Sequence, residues 1–346
     1  MDMQVAMLYG PEDVRFETVA VPEPGPGEVL VQVKVALTDG TDMKTFRRGG
    51  HMMLGKLPSP FGHEFAGVVE KVGAGVTKVE KGMRVLAANS APCTRCFYCL
   101  HDRHSLCEDL LFLNGAYAQY ILVPARIVDI NLYEIPQGVS FTHAALTEPL
   151  ACVVHGIDVC DIRLSDQVVI NGGGAIGLML CRLAVLRGAR VIVCDPHPER
   201  LELARRFGAW TTIQVTEGLD QVAAVKAVTD GGRGADIAIE AVGKPSLWEK
   251  TVNMTRKGGL AVMFGGCPGG TTMAVDTTYL HYGEVSIKGV FHHTPRYVRD
   301  AVDLIAHNKI DADALISETL PLSRLSDALQ GMMQRRGFKY ALIPGE

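Results

Sequence analysis

Several things are missing from this chain, and each absence narrows what it does. No run of like charge is present: 34 Lys and Arg are interspersed with 38 Asp and Glu, for a net charge of −4. There is therefore no basic stripe to draw nucleic acid or anionic lipid and no acidic tail. A small-molecule substrate is expected, with neither nucleic acid nor membrane as partner. The first residues, Met1 to Gly10, lack the basic-then-apolar order of a secretory leader, and a cytoplasmic location is the expectation. Uninterrupted apolar spans are lacking too: Val168 to Leu186 comes nearest, yet it carries Asn171, three consecutive glycines and Arg182. Internal repeats and low-complexity tracts are absent. The nine cysteines are an odd number, which turns the reading from a disulfide framework towards metal binding.

What is present divides in two. A length of 346 residues exceeds what one hydrophobic core serves, so two domains are expected. From Val5 to Val123 short strands alternate with Gly and Pro punctuation; Val29, Val31, Val33 and Val35 interleave with Leu30, Gln32 and Lys34. This half reads as a β-barrel-like domain, with Pro22 to Gly27 a rigid turn leading into its Val-rich strand. After about Cys152 the texture changes. Gln167 to Ile170, Arg190 to Cys194, Ala235 to Glu240, Leu260 to Phe264 and Val285 to Val290 read as buried strands. Helical patterns at Gly177 to Leu186 and Glu199 to Phe207 separate the first of them. Such alternation predicts a doubly wound parallel sheet, an α/β fold. Beyond Pro295 one helix and a closing segment are expected, too small for a domain of their own and assigned back to the N-terminal half. The predicted domains are thus 1–152, completed by 295–346, and 153–294.

The strand ending at Ile170 runs into Asn171 and then Gly172-Gly-Gly174-Ala-Ile176-Gly177, a G-x-G-x-x-G sequence opening a helix. Glycines there permit a tight turn and let backbone N–H groups approach a pyrophosphate at a helix N-terminus, where the helix dipole favours an anion. Asp195 follows 18 residues after Gly177, at the end of the next strand, where a carboxylate binds the adenosine ribose diol and repels a 2′-phosphate. Gly172, Gly174, Ile176, Gly177 and Asp195 therefore predict a dinucleotide site that favours NAD(H) over NADP(H). Arg200 joins that set, and it bears on the preference because a guanidinium can hold a phosphate or lie over adenine.

Cys93, Cys96, Cys99 and Cys107 form C-x2-C-x2-C-x7-C, four thiolates at the spacing of a closed tetrahedral zinc site. A closed site leaves no position for substrate, so its role is to fold the surrounding loop. Spacing alone also admits an iron–sulfur cluster. Cys152, Cys160, Cys181, Cys194 and Cys267 are scattered through apolar surroundings and read as small buried residues.

Between these landmarks lie Asp39-Gly-Thr41-Asp42, Gly62-His63-Glu64 and Glu148-Pro-Leu150. With the cysteine lobe and the glycine loop, in this order, they closely resemble the zinc-dependent medium-chain alcohol dehydrogenases, in particular the polyol, threonine and sugar dehydrogenase branch. The resemblance spans essentially the whole chain. It implies a GroES-like catalytic domain, a Rossmann-type cofactor domain, a catalytic zinc in a cleft between them and a homodimer or homotetramer. His63 and Glu64 match zinc ligands, and Glu148 matches an acid that binds the metal directly or through water. Thr41 matches the hydroxyl that takes the substrate proton. Asp42 matches the carboxylate that orients the ligating His, a role with a physical basis, since a carboxylate on the far imidazole nitrogen fixes the tautomer and raises basicity. The activity implied is reversible oxidation of a secondary alcohol, of a polyol or sugar, to a ketone.

Two positions depart from the pattern. Asp39 stands where the family has a zinc-ligating Cys, and Lys44 where a His finishes the proton relay. At Asp39 two readings are open: the catalytic zinc is lost, or a carboxylate replaces the thiolate. Both side chains carry one negative charge, and a Zn–O bond of about 2.0–2.2 Å against about 2.3 Å for Zn–S is absorbed by a small side-chain shift. An oxygen-rich site is also harder and discriminates less against Mn²⁺ or Mg²⁺. At Lys44 a substitute relay and a solvent-facing side chain are both open. His292 and His293 follow the last strand, where a loop could touch nicotinamide or substrate. Two rival functions remain: a quinone or alkene reductase using NAD(P)H without catalytic zinc, and a non-catalytic NAD-binding redox sensor.

Overall fold

The computed structural model describes residues 1–51 and 53–345. The chain divides into two units, Met1–Ala151 with His293–Glu346, and Cys152–His292. Among the described residues no helix is long and apolar enough to cross a membrane.

The first unit is built on the strand Val29–Leu37, which is buried along almost its whole length. Such a strand needs partners on both edges. Glu64–Val72 supplies one, antiparallel, and Tyr120–Val123 and Lys339–Ile343 share the other, also antiparallel. The sheet continues through Arg84–Ala87 and Leu132–Glu134 on one side and Ile316–Pro321 on the other. A smaller sheet of Asp13–Ala20, Asp2–Gly10 and Ser59–Pro60 packs into the same core, where Leu8, Val31, Phe61, Phe65, Tyr117 and Leu329 meet. The family of strands expected in this half is present, and so is an unexpected helix, Gly40–Arg48, set between two of them.

The C-terminal segment is richer than one helix and a closing piece. It contains the helices Pro295–Ala306 and Leu325–Met333 and the strands Ile316–Pro321 and Lys339–Ile343, which pair parallel with each other. The second helix was hidden from the sequence by its modest length of nine residues. Ile316–Pro321 was hidden by its largely exposed, polar face.

The second unit is a six-stranded, all-parallel sheet in the order Thr211–Gln214, Arg190–Asp195, Gln167–Asn171, Ala235–Glu240, Thr255–Met263, Ser286–Gly289. In sequence order that is 3-2-1-4-5-6, the doubly wound arrangement, whose ligand crevice lies at the carboxyl ends where the winding reverses. Val168, Val169 and Ile170 are fully buried, as a central parallel strand covered by helices on both faces requires. One strand, Thr211–Gln214, escaped the sequence reading because it is a four-residue, half-exposed edge without an apolar run.

Candidate active site

Asp39 is the N-cap of the helix Gly40–Arg48. Its Oδ1 accepts the Asp42 N–H at 2.7 Å, while Asp42 Oδ2 accepts the Asp39 N–H at 3.2 Å. This reciprocal capping box satisfies two otherwise orphaned donors. It also leaves Asp39 Oδ2 free of the cap, and that oxygen lies 3.9 Å from Nε2 of His63.

His63 sits just before the strand Glu64–Val72, after a turn at Gly62, whose φ is +86°. A side chain at Gly62 would lie 2.6 Å from the Tyr117 ring, so the turn requires glycine. The imidazole Nδ1 faces Asp42 Oδ1 at 3.1 Å. In the neutral imidazole a proton held there leaves the Nε2 lone pair directed towards the Asp39 carboxylate. Asp42 is fixed in turn by Tyr117, whose buried hydroxyl donates to Asp42 Oδ2.

At 3.9 Å His63 Nε2 and Asp39 Oδ2 are placed to share a cation, either the imidazole's own proton or a metal ion. The chain's own charges point the same way. Burial pushes the His63 imidazole down, but Asp42, Asp39 and Glu148 outweigh it and hold its pKa well above the ordinary value. At Asp39 burial pushes up and is outweighed by His63, Lys339 and the backbone N–H groups of Asp42 and Thr41, so its carboxyl stays below the ordinary range. Ligands on one tetrahedral ion at bonds of about 2.0–2.1 Å stand roughly 3.4 Å apart, so the pair needs to close only slightly to share a metal. The donor set fits a divalent ion.

Two further carboxylates border it. His63, Glu64 and Glu148 each bring a ligand atom within 4.8 Å of the others. Glu148, in the first turn of Thr147–Asp158, is buried, and that burial, reinforced by Asp39 against the pull of His63, pushes its pKa up to about 7. His293 Nε2 lies 3.7 Å from Glu148 Oε1 and 3.0 Å from Asn89 Oδ1, which links the second of the two sequence-flagged histidines to this acid. Glu64 is fully buried, and both of its oxygens are taken by Lys339 Nζ, at 2.7 and 2.6 Å. The third ammonium donor goes to the Thr38 carbonyl at 2.9 Å. Of the two acids, Glu64 is thus the one held by the Lys339 ammonium. Thr41 and Lys44 lie on the helix Gly40–Arg48, half-buried and three residues apart, which places them on one face.

Lys339, Tyr117 and Asn89 went unnoticed in the sequence. Lys339 had one faint signal, a lone charge opening the otherwise apolar run Lys339–Ile343; Tyr117 and Asn89 had none.

In the cysteine lobe the sulfurs of Cys93, Cys96, Cys99 and Cys107 all lie within 4.8 Å of one another. A tetrahedral ion with bonds of about 2.3 Å needs sulfurs roughly 3.8 Å apart, and Cys96 and Cys107 stand at 3.9 Å. The Cys93 N–H donates to Cys107 Sγ and the Cys96 N–H to Cys93 Sγ. Backbone N–H groups of Cys99 and Glu108 draw the Cys96 thiol down to about 6, as a thiolate ligand requires.

In the second unit the helix Ala175–Leu186 starts at Gly174 with no side-chain cap, so its first N–H groups remain available to an anion. Gly177 packs its Cα against the loop itself, where a Cβ would sit 1.7 Å from the Gly172 carbonyl oxygen. Asp195 closes the next strand, buried, with Oδ2 accepting the Gly173 N–H at 2.8 Å and Oδ1 the His197 N–H at 2.9 Å. Arg200 Nη1 lies 3.8 Å from Asp195 Oδ2. Gly172, Gly174, Ile176, Gly177, Asp195 and Arg200 thus gather around one carboxyl-edge loop.

A doubly wound dinucleotide fold joined in one chain to a strand-rich unit with a buried acid–histidine cluster has the parts of an oxidoreductase. Comparison with known proteins makes the class specific. Residues 25–136 match the family model for the alcohol dehydrogenase GroES-like domain, and residues 175–307 match that of the zinc-binding dehydrogenases. Sorbitol dehydrogenase of Bacillus subtilis (strain 168) is 30% identical over 342 residues, covering 96% of this chain and 94% of that one. Erythritol/L-threitol dehydrogenase of Mycolicibacterium smegmatis is 30% identical over 362 residues, 99% and 98% of the two chains. Among solved structures, a zinc-binding dehydrogenase from Sinorhizobium meliloti 1021 bound to NADP superposes with a TM-score of 0.90 at 30% identity, covering 99% of this chain and 100% of that one. The chain belongs to the zinc-dependent medium-chain alcohol and polyol dehydrogenase family.

Proposed function

We propose that this chain oxidises a secondary alcohol of a polyol or sugar to the ketone, reversibly, with NAD as hydride acceptor and with a catalytic divalent ion held by Asp39 and His63. The observation that carries the reading is the Asp42 frame, which orients His63 Nε2 and Asp39 Oδ2 towards one point. Glu148, with a carboxylate oxygen within 4.8 Å of the His63 ligand atom, is the acid that completes the set or holds a water there, while Glu64 is held by Lys339. The ion supplies Lewis acidity that brings an alcohol's pKa towards neutrality, and the nicotinamide accepts the hydride.

The protein's own residues do the rest. Thr41 relays the hydroxyl proton, accepting it as it passes its own proton on towards solvent; Lys44 stands three residues further on the same helix face. Asp42 keeps the imidazole in the tautomer that leaves Nε2 open. Cys93, Cys96, Cys99 and Cys107 hold a second zinc whose role is to fold their loop. Asp195 binds the ribose diol and disfavours a 2′-phosphate, and its two backbone hydrogen bonds fix it beside the glycine loop. The polyol and sugar names of the relatives support the substrate class. A homodimer or homotetramer is the proposed assembly, checked by light scattering.

The test is a panel of polyols, sugars and secondary alcohols run with NAD and NADP on metal-quantified protein. Two zinc ions per chain, NAD-dependent turnover of polyols and weaker turnover with NADP are expected. One zinc per chain with reduction of quinones or activated alkenes would replace this reading by the zinc-free reductase.

A further inference from the structure

Tyr117 is the largest fully buried side chain of the protein, and nothing in the chemistry above uses it directly. It lies on the stretch between the cysteine lobe and the strand Tyr120–Val123, with its ring edge-on to Phe61 at 5.4 Å between centroids. Its backbone N–H donates to the Phe61 carbonyl, and its ring fills the space that Gly62 leaves by lacking a side chain. A buried phenol is costly unless its hydroxyl is satisfied. A phenylalanine would fill this core equally well, so the hydroxyl needs its own reason. Two acceptors meet it: the Leu37 carbonyl at 3.2 Å and, closer, Asp42 Oδ2. A hydroxyl has one proton, and the nearer, charged acceptor takes it.

Asp42 is the single residue on which both proposed ligands are keyed. Its Oδ1 holds His63 Nδ1, and its Oδ2 and N–H form the capping box that aims Asp39. Without the Tyr117 hydroxyl, Asp42 Oδ2 would keep only the Asp39 N–H at 3.2 Å, a long bond to one side of the carboxylate. The carboxylate plane, and with it the imidazole, would then be free to turn. We infer that Tyr117 is a positioning residue of the metal centre: its hydroxyl locks the Asp42 carboxylate, and through it the directions of both His63 Nε2 and Asp39 Oδ2. The inference rests on the proposed reading of Asp39 and His63 as metal ligands.

The experiment measures binding of Co²⁺ alone to whole protein whose four-thiolate site keeps its zinc. Affinity is read by chelator competition, and ligand geometry by the visible d–d bands of bound Co²⁺. In Tyr117→Phe, which keeps the ring, affinity is expected to fall about 10–100-fold, the loss typical of removing a partner that orients a ligating His, and the d–d bands to change. In an Asp42→Ala background the same Tyr117→Phe change should cost nothing further, because its path to the metal is gone. Unchanged affinity and bands in Tyr117→Phe, or additive losses in the double variant, would overturn the inference and leave Tyr117 as core packing. Wild-type protein that binds no Co²⁺ beyond the four-thiolate site would overturn the metal reading itself and the inference with it.

Discussion

Asp39 and Asp42 hold each other across the first turn of Gly40–Arg48, each carboxylate accepting the other's backbone N–H. The residue that departs from the family's cysteine is therefore also the cap of a helix, a task for which a carboxylate is well suited and a thiol is not. The two duties separate by mutation. Asp39→Asn keeps a good cap and loses the charge, so bound zinc should fall from two per chain to one, while metal-free protein loses the attraction of the carboxylate for His63 but not the cap. Asp39→Ala should lose the same zinc and also about 1 kcal/mol of stability. Metal analysis together with urea denaturation in chelator distinguishes them.

Glu148 gives the site a pH dependence whose sign is fixed. Its folded pKa of about 7 lies above the ordinary 4.5, so between these values the folded chain binds the extra proton. Metal-free stability should therefore fall as pH rises through that window, and raised His63 continues the fall above it. Glu148→Gln should flatten the slope between about 4.5 and 7. In wild-type protein metal affinity should rise over the same interval as the proton leaves. Denaturation and metal titration at pH 5, 6, 7 and 8 would show both; a Glu148→Gln slope equal to wild type would refute the assignment.

Breaking the Lys339–Glu64 pair leaves a fully buried carboxylate with no counter-ion. Lys339→Met should cost about 3–5 kcal/mol. Replacing both partners, as in Lys339→Met with Glu64→Leu, should recover most of that, because well-packed apolar groups often equal a buried ion pair. Denaturant midpoints of the two single variants and the double variant report the coupling.

Asp195→Ser should narrow the preference for NAD. Removing the carboxylate deletes the repulsion on a 2′-phosphate and leaves Arg200 beside the ribose, so kcat/KM with NADP relative to NAD should rise tenfold or more, about 1.4 kcal/mol. A ratio that does not move would assign cofactor choice elsewhere.

Legibility in the sequence followed the range of the interactions. The parallel sheet was readable because each central strand is a short, continuous apolar run, and the glycine loop because turn, helix start and acid lie within about 25 positions. The four cysteines were readable for the same reason. The helix Gly40–Arg48 was also readable and was passed over: Asp39-Gly-Thr-Asp42 is a capping signature, masked by its interest as a set of ligands. By contrast, Lys339 and Glu64 are 275 positions apart, Tyr117 and Asp42 are 75, and Asn89 and His293 are 204. No periodicity or motif links such pairs; only the tertiary folding of their unit brings them together.

The distance along the chain between Glu64 and Lys339 has a consequence in time. During synthesis at roughly 5–20 residues per second, the acid emerges tens of seconds before the Lys339 ammonium that pairs with it. Until then Val29–Leu37 also lacks the edge partner that Lys339–Ile343 provides. The buried pair beside His63 is thus among the last parts of its unit to be finished. A nascent chain carries an unpaired strand edge and an uncompensated acid at its heart, and that is the interval in which a chaperone would find most to hold.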